Sequence, residues 1–173
     1  MINWQPTNLA NQNVGLRPLK PEDFETLFNV ASDPKIWEQH PAKDRYLPEV
    51  FKAFFEDAIQ GSKAFLLVEN TTNAVMGSSR YYDYNLENNS IAIGYTFLGT
   101  QFWGGKYNFQ IKKLMIDYAF QFVDNVIFHI GSTNYRSQKA IEKNGGIKTK
   151  EIIVPNQTTA NFEYQIKKEN WAF

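Results

Sequence analysis

Residues 64–98 hold three strand-like runs joined by connections too short to cross a sheet. AFLLVE (64–69) is almost continuously apolar, VMGSSRYYDY (75–84) mixes polar and apolar positions, and SIAIGYTFL (90–98) is again largely apolar. Asn70-Thr71-Thr72-Asn73 and residues 85–89 separate them as turn clusters. A parallel crossover needs about a dozen residues or more. The three runs are therefore expected to form an antiparallel meander.

Helical and strand signals flank it. VGLRPL (14–19) alternates and stops near a proline, as a short strand does. Pro21-Glu22-Asp23 suits the first turn of a helix whose apolar face is Phe24, Leu27, Phe28 and Ala31. Pro48 opens a second helix with Val50, Phe51, Phe54, Phe55, Ala58 and Ile59 at helical spacing, and Gly61 stops it. From Asn108, the apolar positions Ile111, Leu114, Met115, Tyr118, Ala119 and Phe122 predict a third helix with Lys112, Lys113 and Asp117 facing outward. Residues 126–130 read as a buried strand and 134–144 as a helix ended by Gly145-Gly146. Residues 147–154 and 159–167 read as a strand pair turning at Pro155-Asn156. The order βαα, βββ, αβ, αββ predicts an α/β (α+β) fold, a mixed sheet with helices on both faces. Residues 1–12 read as a polar, poorly ordered arm and 13–171 as one domain.

Eighteen basic residues balance eighteen acidic ones, which argues against a dedicated nucleic-acid binder. The absence of cysteine excludes disulfides and thiolate metal sites, and two distant histidines, His40 and His129, make no metal centre. MINWQPTNLANQNV lacks the pattern of a signal peptide, and no apolar run approaches the ~20 residues of a membrane span. The expectation is a cytoplasmic protein with no metal, nucleic-acid or membrane partner.

Two segments carry chemistry. In FWGGKYNFQIKKLM (102–115), Gly104-Gly105-Lys106 precede a helix whose first N–H groups lack intrahelical partners and favour an anion. The same residues also suit a plain turn, and the P-loop spacing is absent. In NYRSQKAIEKNGG (134–146), Asn134 reads as an N-cap, with Ser137 three residues on. Arg136, Lys139 and Lys143 share one helical face, either solvated or docked on phosphate.

Together with LRPLKPEDFETLF near the start and IGYTFLGTQFWGGKYNFQIKKLMIDYAF, these segments resemble the GNAT superfamily of acetyl-CoA-dependent N-acetyltransferases over about residues 14–171. The likeness is nearest to the branch of ribosomal-protein N-terminal acetyltransferases. It implies a mostly antiparallel sheet of about seven strands and a strand that bulges and splays near Leu98 to open a cofactor cleft. It implies acetyl-CoA as cosubstrate, with pantetheine against Phe97 and Leu98, and phosphates against Trp103, Gly104, Gly105, Lys106, Tyr107 and Asn108. Asn134 and Ser137 match the family's N-x-x-S, which faces the cofactor near the thioester. The acceptor would be a small-molecule amine or a protein N-terminus, attacked directly in a ternary complex. A homodimer is the commonest oligomer for such a chain.

The sequence departs from the family at three places. Lys106 stands where the phosphate loop has a second small residue. The usual general base, a Glu on the central strand, is Ala92, and the usual acid, a Tyr on the last helix, is Ile141. Ser137, toward the leaving sulfur, and Tyr95, on the splayed strand, are the remaining catalytic candidates. Trp37, His40 and Tyr82 are the candidates for holding the acceptor, with Arg45, Tyr46 and Tyr81 on or near the same side. His40 is a base by residue type. His129, on an apolar strand, reads as a core histidine. The missing Glu and Tyr leave a second reading, a CoA-binding module without turnover, and the Gly-Gly-Lys loop with the basic helix face leaves a third, a nucleotide or nucleic-acid binder, against which neutrality counts.

Overall fold

The meander forms as expected: β3 (Ala64–Glu69), β4 (Val75–Asn85) and β5 (Ser90–Leu98) pair antiparallel in sequence. The computed structural model describes residues 2–153 and 159–172, so the turn expected at Pro155-Asn156 lies outside the described residues. Preceding the meander are β1 (Leu9–Ala10), β2 (Val14–Pro18), α1 (Phe24–Ala31) and α2 (Pro48–Gly61). Following it are α3 (Tyr107–Ala119), β6 (Asn125–Gly131), α4 (Tyr135–Lys143), β7 (Ile147–Ile152) and β8 (Asn161–Lys167).

The strands form one eight-stranded sheet in the order β1-β2-β3-β4-β5-β6-β8-β7. Every neighbouring pair is antiparallel except β5 with β6. The mixed, mostly antiparallel sheet matches the expectation, with β1 as an additional strand. Alternation along β3 shows both faces covered: Phe65 and Leu67 join the core that includes Ile111, Met115 and Ile116 of α3, while Ala64 and Leu66 join that of α1 and α2. Near-continuous apolar strands are what a sheet buried on both faces requires.

The N-terminal residues are docked, not loose. Trp4 is buried among Tyr81, Tyr84 and Phe122, Gln5 Nε2 donates to Ala64 O, and Tyr118 donates to Asn3 O. Asn/Gln richness suggested a solvated arm, but one tryptophan and the two-residue pairing of β1 with β2 anchor it.

Helix α3 ends at Ala119, and its buried positions are Ile111, Lys112, Met115, Ile116 and Ala119. The buried arc is therefore rotated from the expected one, and Lys112 faces inward. Tyr81 also lies away from the cleft. It is buried on the α3 side, where its hydroxyl donates to Met115 O.

Candidate active site

The parallel pairing of β5 with β6 is limited to Ser90↔Asn125, Ile91↔Val126 and Ala92↔Ile127. Beyond Ala92 the strands part, while β6 stays paired to β8 as far as Gly131. The parting coincides with a bulge. Arg80 pairs with Gly94 and Ser78 with Phe97, so Tyr95 and Thr96 together oppose Ser79. Tyr95 adopts φ +53°, a left-handed conformation uncommon for a side-chain-bearing residue. On the partner strand, Gly77 has φ +154°, and a Cβ there would collide with the Phe97 carbonyl oxygen. The close approach of β4 to β5 just past the bulge, where Gly77 pairs with Leu98, therefore requires a glycine.

Two cavities of 730 and 430 Å³ occupy the opening and share His40, Thr96, Asn108, Asn134, Ser137 and Ala140 as lining, making one continuous cleft. Phe97, Leu98, Trp103, Gly104 and Gly105 line the smaller cavity. Tyr107 and Lys106 do not. Tyr107 packs edge-on against Phe102, and Lys106 Nζ donates to Asn13 Oδ1 over 2.8 Å.

The smaller cavity suits anionic groups. Gly104 has φ +71°, and a Cβ on either Gly104 or Gly105 would meet nothing within 4 Å, so the turn lies open to a ligand. The N-terminus of α3 carries no side-chain cap. Arg136, Lys139 and Lys143 line the cavity, and the Arg136 guanidinium lies 3.9 Å from the centre of the Trp103 ring. Asn134 caps α4 by accepting from the Ser137 N–H at 3.2 Å.

The larger cavity is aromatic and cationic. It is lined by Tyr82, Tyr95, His40, Arg45, Lys112 and His129 but by no Asp or Glu among the described residues. Arg45 rests on the Phe54 ring at 4.6 Å and Arg80 on Tyr95 at 3.6 Å. Arg80 is tied to Asp57 at 2.7 Å. Trp37 is buried, donates from Nε1 to Ala31 O, and lines the smaller cavity instead.

Several titratable groups here are perturbed, the cleft arginines Arg45 and Arg136 among them, both lowered by burial. Burial, followed by the Arg45 and Arg136 charges, drops His40 to about 4, so it is a weak base at neutral pH. Burial alone drops Lys112 to about 7, where its Nζ donates to Thr96 Oγ1. Burial, then Tyr95 and Asp83, pushes the Tyr82 phenol well up. Ala92 and Ile141 are both buried apolar residues.

Sequence reasoning missed Lys112 and misread His129. Strand β6 buries Val126, Phe128 and Ile130, and its period of two puts His129 on the opposite face, where its ring meets Tyr82; Phe128 and Ile130 border the larger cavity as well. That alternation was the available signal, hidden by reading 126–130 as one apolar run.

The family model described as "Acetyltransferase (GNAT) domain" matches residues 13–147. No curated protein matches the sequence. Among solved structures, the GNAT-family acetyltransferase from Bacillus anthracis superposes with TM-score 0.78 at 19% identity, covering 92% of this chain and 98% of that one. A probable GNAT-family acetyltransferase from Chromobacterium violaceum gives 0.83 at 17%, covering 94% and 87%. The spermidine N-acetyltransferase from Vibrio cholerae, in complex with CoA and spermine, gives 0.72 at 12%, covering 93% and 99%.

Proposed function

The chain belongs to the GNAT acetyltransferase family, and on that premise we propose that it transfers the acetyl group of acetyl-CoA to a primary amine by direct attack in a ternary complex. One observation carries the reading: a single cleft, opened where β5 leaves β6, is basic and glycine-lined at one end and aromatic at the other. The basic end fits the phosphates of CoA. The open Gly104-Gly105 turn and the uncapped α3 N-terminus would hold them, with Arg136, Lys139 and Lys143 adding charge. Main chain at Phe97 and Leu98 would meet pantetheine, leaving Asn134 and Ser137 beside the thioester.

In this reading Ser137 hydrogen-bonds the departing sulfur. Tyr95, held in the bulge, shapes the junction between donor and acceptor. Main-chain N–H groups of the bulged strand supply oxyanion stabilisation without a special side chain. The acceptor enters the larger cavity, among Tyr82, Tyr95 and His40. Among the described residues that cavity offers no carboxylate to a second ammonium, which supports a monoamine or a protein α-amine over a polyamine.

The test is thermal unfolding with acetyl-CoA, CoA and ATP, followed by thiol release across an amine panel. A ligand at ~100 times its Kd stabilises by about 2.7 kcal/mol, or roughly 5–10 °C for a domain of this size. A shift with both CoA ligands but not ATP, and thiol release dependent on an amine, are the expected results. Binding without thiol release would point to a CoA-binding module, a reading that Ala92 and Ile141 favour.

A further inference from the structure

Acetyl transfer from a thioester requires the amine to lose its proton, and neither residue at the family's usual proton-carrying positions, Ala92 and Ile141, can take it. Another group of side chains in the cleft is built for that task. The Tyr82 hydroxyl lies 2.8 Å from His129 Nδ1, and His129 Nε2 lies 3.5 Å from Glu163 Oε2. His129 and Glu163 are cross-strand partners on β6 and β8. Tyr82 reaches them from β4, across β5, because residue 94 is glycine: a Cβ there would sit 2.8 Å from the Tyr82 ring. Tyr82 and His129 line the larger cavity, and Glu163 does not.

The charges set the direction of the hydrogen bonds. Burial alone would raise the Glu163 carboxyl, but bonds from Lys150 and Thr149 outweigh it and hold Glu163 below its ordinary value. An ionised Glu163 favours hydrogen on Nε2, which leaves Nδ1 to accept from Tyr82. The other charged and titratable groups around the chain are Arg80 and Asp83 on β4, Tyr95 on β5 and Lys112 on α3, with His40, Arg45 and Lys150 beyond. None of them joins a hydroxyl, an imidazole and a carboxylate in series.

Resting on the acetyl-transfer reading, we propose that Tyr82–His129–Glu163 is the proton-accepting chain of this active site, with Tyr82 as the catalytic residue that meets the amine and His129 and Glu163 as positioning residues behind it. The substrate ammonium gives one proton to the Tyr82 oxygen while the Tyr82 hydrogen passes to Nδ1. A neutral amine and an imidazolium facing Glu163 result. The amine lone pair forms the C–N bond, the C–S bond breaks, and its electron pair leaves on sulfur. The second amine proton ends on that sulfur as the thiol, and the imidazolium returns its proton to solvent.

Two measurements test the chain. The first needs no turnover: ¹⁵N spectra of imidazole-labelled protein at neutral pH should show His129 with hydrogen on Nε2, and hydrogen on Nδ1 would overturn the proposal. The second follows thiol release from acetyl-CoA with phenethylamine, β-alanine and glycylglycine between pH 5.5 and 9, alongside calorimetric acetyl-CoA binding and thermal unfolding. Tyr82→Phe and His129→Gln should lower kcat about a hundredfold or more with acetyl-CoA affinity unchanged. Glu163→Gln should fold and shift the acid limb of kcat/KM down by about one pH unit. Unchanged rates and limbs in folded variants, or an acid limb that follows Lys112→Met instead, would overturn the chain and leave acetyl transfer standing. Acetyl-CoA binding by the wild type without thiol release from any acceptor would remove the acetyl-transfer reading and the chain with it.

Discussion

Lys112 Nζ donates to Thr96 Oγ1 across 2.6 Å, and Thr96 in turn lies 2.7 Å from Ser79 Oγ. The contact joins α3 to the bulge that opens the sheet, and it holds a lysine that is 5% exposed with no carboxylate partner among the described residues. A buried amine of this kind disfavours its own protonation.

The first prediction follows from that burial. The folded-state value of about 7 lies below the ordinary 10.5, so between those limits the unfolded chain binds the extra proton. Stability should rise with pH across that window by up to about 1.4 kcal/mol per unit, the full penalty being present below pH 7. His40, at about 4 against 6.5, adds a second rise between those two values. Urea unfolding against pH should lose its upper slope in Lys112→Met and keep the lower one. An unaltered upper slope would contradict the burial.

Gly77→Ala should destabilise the fold by about 3 kcal/mol, because the new Cβ meets the main-chain Phe97 oxygen and not a side chain that can swing away. Gly104→Ala faces open space and costs only the strain of its positive φ. Paired denaturation curves should rank the two variants in that order, while CoA affinity should fall more in the second.

Removing a guanidinium or ammonium from the basic end should weaken CoA without unfolding the protein. Arg136→Ala is expected to raise the Kd about tenfold, and adding Lys139→Ala and Lys143→Ala should flatten its salt dependence. Calorimetry at two ionic strengths measures both effects.

Spermine should be a poor acceptor compared with phenethylamine, since Arg45 faces the larger cavity and no carboxylate lines it among the described residues. Comparable kcat/KM values for spermine and phenethylamine in the thiol assay would contradict this electrostatic picture.

Trp4→Ala should cost about 3–5 kcal/mol, the range for emptying a buried aromatic site. A thermal scan beside wild type checks it. A change below 1 °C would mean that the N-terminal residues contribute little to the fold.

The meander, the helices and their order were legible because each has its own periodicity or turn chemistry: the Asn-rich turns, Pro48, and the i, +3, +4 spacing from Ile111. The glycine turn and the Arg136/Lys139/Lys143 face were likewise visible as motifs. Lys112 was not, because it is 100° around the helix from Ile111, and only the gap between β5 and β6 makes that direction interior. The link from Tyr82 to His129 was equally hidden. It joins residues 47 positions apart across an intervening strand, and it depends on the missing side chain at Gly94. The docking of residues 2–10 rested on Trp4, one residue in a polar context.

The separation of β5 from β6 has a consequence for solubility. An unpaired strand edge on the outside of a protein is a template for aggregation. Here the segment from Ile93 to Leu98 leaves its parallel neighbour, yet its bare edge faces inward and is walled by α4 and β6. The gap in the sheet's pairing is thus enclosed between the protein's own elements and does not stand at the outer edges of the sheet, which β1 and β7 form.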